Sequence, residues 1–251
     1  MKQYKLKLAF LLFILGFTGI LSMLTMDIPL PEEAKAILEE QFTPSQIKWL
    51  VLVNPTIMLI GAIVLGTFLY DRSGLSLPVF EAVLKKQPLQ GGIRLLNAGV
   101  TYGILAGLLL LTTSQFFEPL LPQEFLELGA KLQPTLAARF LYGGITEEIL
   151  MRFGLMTFLV FLLSKISRTL TSTIYWIAIA IAALLFAVGH FPIAYSVVDS
   201  PSSTLLIYIL IGNTIGGLIF GWLYWKRGLE AAFLGHIFAH IVMMVGEIAL
   251  A

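Results

Sequence analysis

Seven stretches of this chain are apolar over close to the ~20 residues that a helix needs to cross a bilayer. They cover about residues 8–25, 49–70, 96–117, 136–163, 172–190, 203–225 and 229–250. In hydrocarbon, backbone N–H and C=O groups have no water to bond, so such segments must satisfy themselves as helices. The expected fold is therefore all-α: a polytopic membrane helical bundle with about seven transmembrane helices. Composition agrees, with 58% hydrophobic and only 12% charged residues, against about a quarter charged in soluble domains. The N-terminal "MKQYKLKLAFLLFILGFTGILSMLTM" has the basic head of a signal peptide. It lacks a small-residue cleavage site and reads as a retained first span.

Loop charges alternate. Lys2, Lys5 and Lys7 precede the first span; Arg72, Lys85, Lys86 and Arg94 follow the second; Lys165 and Arg168 follow the fourth; Lys226 and Arg227 follow the sixth. The other loops carry Asp27, Glu32, Glu33, Glu39, Glu40, Glu118, Glu124, Glu127 and Asp199 with few lysines. Lysine and arginine bias sets orientation, which places the N-terminus in the cytoplasm and the C-terminus outside, in the cell membrane. Two loop segments, beginning "PEEAKAILEEQ" and "PVFEAVLKK", read as short surface helices. A net charge of +1 lacks the basic face a nucleic-acid partner would need. The absence of cysteine removes disulfides, thiolate ligands and a thiol nucleophile. In the sixth span Gly212, Gly216, Gly217 and Gly221 predict close helix packing, and Asn213 is a cavity-lining candidate or a packing hydrogen bond.

The ionisable groups inside spans are few, and such groups mark function by default. The fourth span holds Glu147, Glu148 and Arg152; the fifth ends with Phe186 and His190; the seventh carries His236 and His240. These are the only three histidines in the chain. Glu148 and Arg152 at i and i+4 share a helix face and can pair, while Glu147 is turned ~100° away and projects elsewhere. His236 and His240 share one face of the seventh helix. Counting rise from the nearest loop cations puts Glu147 ~27 Å from Lys165 and His236 ~14 Å from Arg227, so the groups are expected at uneven depths.

The set suits water activation. A desolvated glutamate can act as general base, a histidine can share the water and protonate a leaving amine, and further histidines can face an oxyanion. The same Glu147, His190, His236 and His240 could instead hold zinc with an open coordination position. The bland readings are a structural Glu148–Arg152 pair, an interfacial His190 and a hydrogen-bonding His236–His240 pair between helices.

The ordered motifs Glu-Glu-x-x-x-Arg at 147–152, Phe-x-x-x-His at 186–190 and His-x-x-x-His at 236–240 resemble the CPBP family, which includes the type II CAAX prenyl endopeptidases. The resemblance covers about residues 136–245. It implies a division into residues 1–135, membrane helices with two surface segments, and 136–251, a four-helix catalytic core, within one structural domain. It also implies an intramembrane endopeptidase in which Glu147 and His190 activate water. Glu148, Arg152 and Phe186 would organise the site, and His236 with residue 240 would support the oxyanion. The family's last motif usually ends in Asn or Asp, where this chain has His240. By that resemblance no cofactor is required, zinc being the alternative. The partners would be the bilayer and a peptide or protein substrate entering from the membrane; oligomeric state is left open. A proton- or metal-coupled transporter, favoured by helix breaks such as Gly143–Gly144 and Pro192, and a non-catalytic membrane regulator remain as alternatives.

Overall fold

The computed structural model describes residues 2–198 and 200–250; Asp199 and the side chains of Lys2 and Glu32, all counted among the loop charges, lie outside what it describes. Among the described residues the fold is all-helical. Seven helices are long and apolar enough to cross a membrane: Gln3–Thr25, Pro44–Arg72, Gly92–Leu120, Ala138–Ser167, Ser172–Val197, Ser203–Arg227 and Leu229–Leu250. They extend the apolar windows by a few residues into polar ends, and the expected bundle is borne out. Leu6, Phe10, Ile57, Phe68, Leu108, Ile181, Ile207 and Ile248 stand exposed on the outer faces, whereas Glu148, Arg152 and His236 are buried among the helices. That inversion is what a bilayer solvent requires.

Small residues decide which helices touch. In the third span Gly99, Gly103 and Gly107 face the seventh: a methyl group on Gly103 would come within 2.6 Å of Gly235 O, and one on Gly107 within 2.6 Å of Val242 Cβ. This four-residue ladder, not singled out in the sequence, brings the seventh helix against the third. In the sixth span only part of the glycine pattern is used. Gly217 and Gly221 meet Ala183 and Ile179 of the fifth helix, while Gly212 has only a loose contact with Leu110 and Gly216 meets its own helix's Phe220. The first span lies on the fourth, where Thr146 Oγ1 donates to Gly16 O at 2.8 Å. The fourth span is thereby flanked by the first, second and seventh helices, with its polar residues turned inward.

Both ends are tied. At one, Tyr175 donates to Ser73 O at 2.8 Å, Phe80 N donates to Glu230 Oε1 at 2.9 Å, and Lys5 pairs with Asp71 at 2.8 Å. Both surface helices are present, Glu32–Gln41 and Pro78–Lys85. At the other end the acidic stretch between the third and fourth spans is a helix, not a loop, over Pro122–Lys131. Its leading proline, Glu124 in the first turn and Lys131 in the last were the available signals. Ser202 donates to Glu124 from its backbone N at 2.7 Å and from its hydroxyl at 2.9 Å, and Lys131 Nζ donates to Val197 O at 2.7 Å. Beneath these contacts Phe117, Leu121, Ala194, Val197, Leu205 and Ile209 form a second apolar cluster, which anchors the segment following His190.

Candidate active site

The fourth span is wound wide where its charges lie. Ala138–Glu147 and Ile149–Met156 have π-type geometry before regular helix resumes at Thr157. The Thr157 hydroxyl reaches five residues back to Arg152 O at 3.2 Å. The Thr146 hydroxyl shares its one proton between Gly16 O and, five residues back, Leu141 O at 3.2 Å. Such windings are rare and recur at functional sites. The glycine pair does not break this helix; it lets the seventh approach. A Cβ on Gly144 would meet Ile237 Cγ1 at 2.5 Å, and one on Gly143 would meet His240 Nε2 at 2.8 Å.

The two glutamates part as their positions demand. Glu148 faces inward, fully buried, where Oε1 accepts from His236 Nδ1 at 2.9 Å and Oε2 lies 3.1 Å from Arg152 Nε. Because the carboxylate only accepts, Nδ1 carries the proton and the ring's other nitrogen, Nε2, is left for the site. The Arg152 contact is close but poorly aligned, and Nε and Nη1 make no hydrogen bond. The guanidinium is held instead by charge, by Gly217 O at 3.5 Å from Nη2, and by the rings of Phe186 and Phe220 at 5.3 and 5.7 Å.

Glu147 is the accessible partner, with its side chain 17% exposed and that of His190 31% exposed. His190 sits where the fifth helix, Ser172–Val188, gives way to the short helix Phe191–Val197, a break set by Pro192 in its first turn. His190 Nδ1 donates to Phe186 O at 2.8 Å, and the two rings meet edge-on at 4.6 Å. A carbonyl only accepts, so His190 Nε2 is the lone-pair nitrogen, and it lies 4.0 Å from Glu147 Oε1. The uneven depths expected from loop counting are corrected here: residues of the fourth, fifth and seventh helices stand level. A π-type turn advances less per residue than the ~1.5 Å of an α-helix, and each helix counts from a loop of its own height.

His236 stacks on Phe220 at 4.6 Å and on His240 at 4.9 Å. His240 places Nε2 beside Gly143, one turn from Glu147, and its buried Nδ1 has no hydrogen-bond partner. Asn213 Nδ2 donates to Ile209 O of its own helix at 2.9 Å. The Nδ1 hydrogen bonds of His236 and His190 leave both Nε2 lone pairs turned to the site, as in zinc-binding histidines, while among the described residues no three His, Asp or Glu side chains gather as a metal-holding group.

Phe220, Gly217 and Gly143 were missed as parts of the site. An aromatic and two glycines in an apolar helix look like packing residues, and only their neighbours across the bundle give them another role. Glycine spacing was the one signal that pointed near them.

Residues 130–242, a little under half of the chain, match the family model described as type II CAAX prenyl endopeptidase Rce1-like. The segment contains all three motifs, and over it the family resemblance is borne out. No curated protein and no solved structure matches the chain.

Proposed function

We propose that this protein is an intramembrane endopeptidase in which Glu147 and His190 activate water to hydrolyse a peptide bond of a membrane-associated peptide or protein. One observation carries the reading. The Glu147 carboxylate and the lone pair of His190 Nε2 face each other at 4.0 Å, two acceptors too far apart to bond and close enough for one water to donate a hydrogen to each. A water held that way turns its own lone pairs outward. As its oxygen attacks the substrate carbonyl carbon, Glu147 takes one proton and the carbonyl becomes an oxyanion. His240 Nε2, beside Gly143, is the ring nitrogen that can carry a proton to that charge, its Nδ1 having no partner, while His236, protonated on Nδ1, stacks against the His240 ring. Collapse breaks the C–N bond, and the proton passes through Glu147 or His190 to the leaving amine. Glu148 and Arg152 touch no substrate in this scheme; they fix His236 and the helix that carries Glu147.

The matched family's description makes prenylated protein tails the first substrates to try. Loop charge supports a cytoplasmic N-terminus and an outer C-terminus. The reading is tested by surveying newly formed protein termini in cells expressing wild type or Glu147→Gln at matched levels. Termini that vanish in the variant, and that purified wild type regenerates from the precursor, support the reading. An unchanged set of termini overturns it.

A further inference from the structure

At the end of the bundle away from His190, the second and fourth spans enclose an open concavity of about 430 Å³ lined by Arg72, Phe161, Ser164, Lys165, Arg168 and Thr169. Three cations share it, and among the described residues none of them has an acidic partner. The neighbouring Asp71 is engaged by Lys5 at 2.8 Å. Lys165 Nζ is steadied over the Phe161 ring at 5.5 Å.

Orientation bias alone accounts for basic residues at this end, and one cation in the last turn suits the helix dipole. Neither brings three of them into one concavity. Arg168 closes the helix Thr157–Ser167 in the left-handed conformation, at φ 57° and ψ 16°, as Lys86 closes the helix Pro78–Lys85, a position that glycine or asparagine ordinarily fills. There it lines the concavity together with Arg72 and Lys165. Beside it Leu162, Ile166 and Leu170 are exposed, Ile166 by 73%. A cationic cradle bordered by apolar side chains matches a phosphate with acyl chains below it.

We propose that Arg72, Lys165 and Arg168 form a binding site for the phosphate headgroup of an anionic membrane phospholipid. The site clamps the ends of the second and fourth helices that lie away from His190, the fourth being the helix that carries Glu147, and it stands independently of the proposed hydrolysis.

The test uses the full chain reconstituted in mixed phosphatidylcholine and phosphatidylglycerol, re-extracted in mild detergent, with retained lipid counted by mass spectrometry. Wild type is expected to hold phosphatidylglycerol in preference to phosphatidylcholine, with about fivefold weaker retention for each of the three cations changed to alanine. Arg168→Gly separates binding from folding: glycine relieves the left-handed strain, so thermal stability in lipid-free detergent should hold or rise while retention falls. A parallel arm adds inorganic phosphate alone. Equal retention by wild type and the triple alanine variant overturns the site. Displacement of the lipid by millimolar phosphate, or equal retention of phosphatidylcholine, overturns the anionic phospholipid as its occupant.

Discussion

Glu147 and Glu148 are adjacent in the chain and serve different helices: Glu148 accepts from His236 of the seventh at 2.9 Å, and Glu147 faces His190 of the fifth at 4.0 Å. One carboxylate is sealed and charge-compensated; the other is open and has a histidine lone pair before it. A single helix thus supplies both the anchor and the reactive group. Substitutions of the two should therefore fail in different ways.

Glu148→Gln should act on stability first. It leaves the buried Arg152 guanidinium without its carboxylate, and breaking a buried pair from one side costs about 3–5 kcal/mol. Unfolding of the purified protein in detergent measures this. Glu148→Leu combined with Arg152→Met should recover a large part of the loss, because no unpaired charge then remains.

His190→Ala should leave the unfolding midpoint near that of wild type, since the residue is part-exposed at a helix break. Turnover of the substrate found by the termini survey should fall by about 10²–10⁴-fold, the usual worth of a positioned acid–base group. A wild-type rate in this variant would remove His190 from the mechanism.

Gly143→Ala tests the close approach of the fourth and seventh helices. Its methyl group would lie 2.8 Å from His240 Nε2, and overpacking of this order costs about 1–3 kcal/mol. The double variant with His240→Ala should unfold at a higher temperature than Gly143→Ala alone. If the second change gives no relief, the contact is not the source of the strain.

Gly103→Val should separate the third and seventh helices, whose contact at Gly235 O leaves no room for a side chain. A fluorescence or crosslinking measure of that interface should weaken, and activity should fall with it, because His236 follows Gly235 on the displaced helix.

Span number and the ionisable residues were legible because charge in an apolar helix is conspicuous, and so was the divergence of Glu147 from Glu148. The i, i+4 pairing of Glu148 with Arg152 survives the π-type winding, which the sequence does not announce. What stayed hidden depends on partners across the bundle. Nothing local marks Phe220 as the ring under His236, or Gly99, Gly103 and Gly107 as the ladder in use rather than Gly212 and Gly216. Depth was misjudged because each helix was measured from its own loop. The helix Pro122–Lys131 was passed over because its acids read as loop charge.

The central claim is that Glu147 takes the proton from the attacking water. The most direct measurement is the single-turnover cleavage rate of the identified substrate by purified wild type and Glu147→Gln in proteoliposomes, at matched thermal stability. The account predicts a loss of at least about 10²-fold in the variant, with the fold intact. Cleavage at the wild-type rate by Glu147→Gln would contradict it.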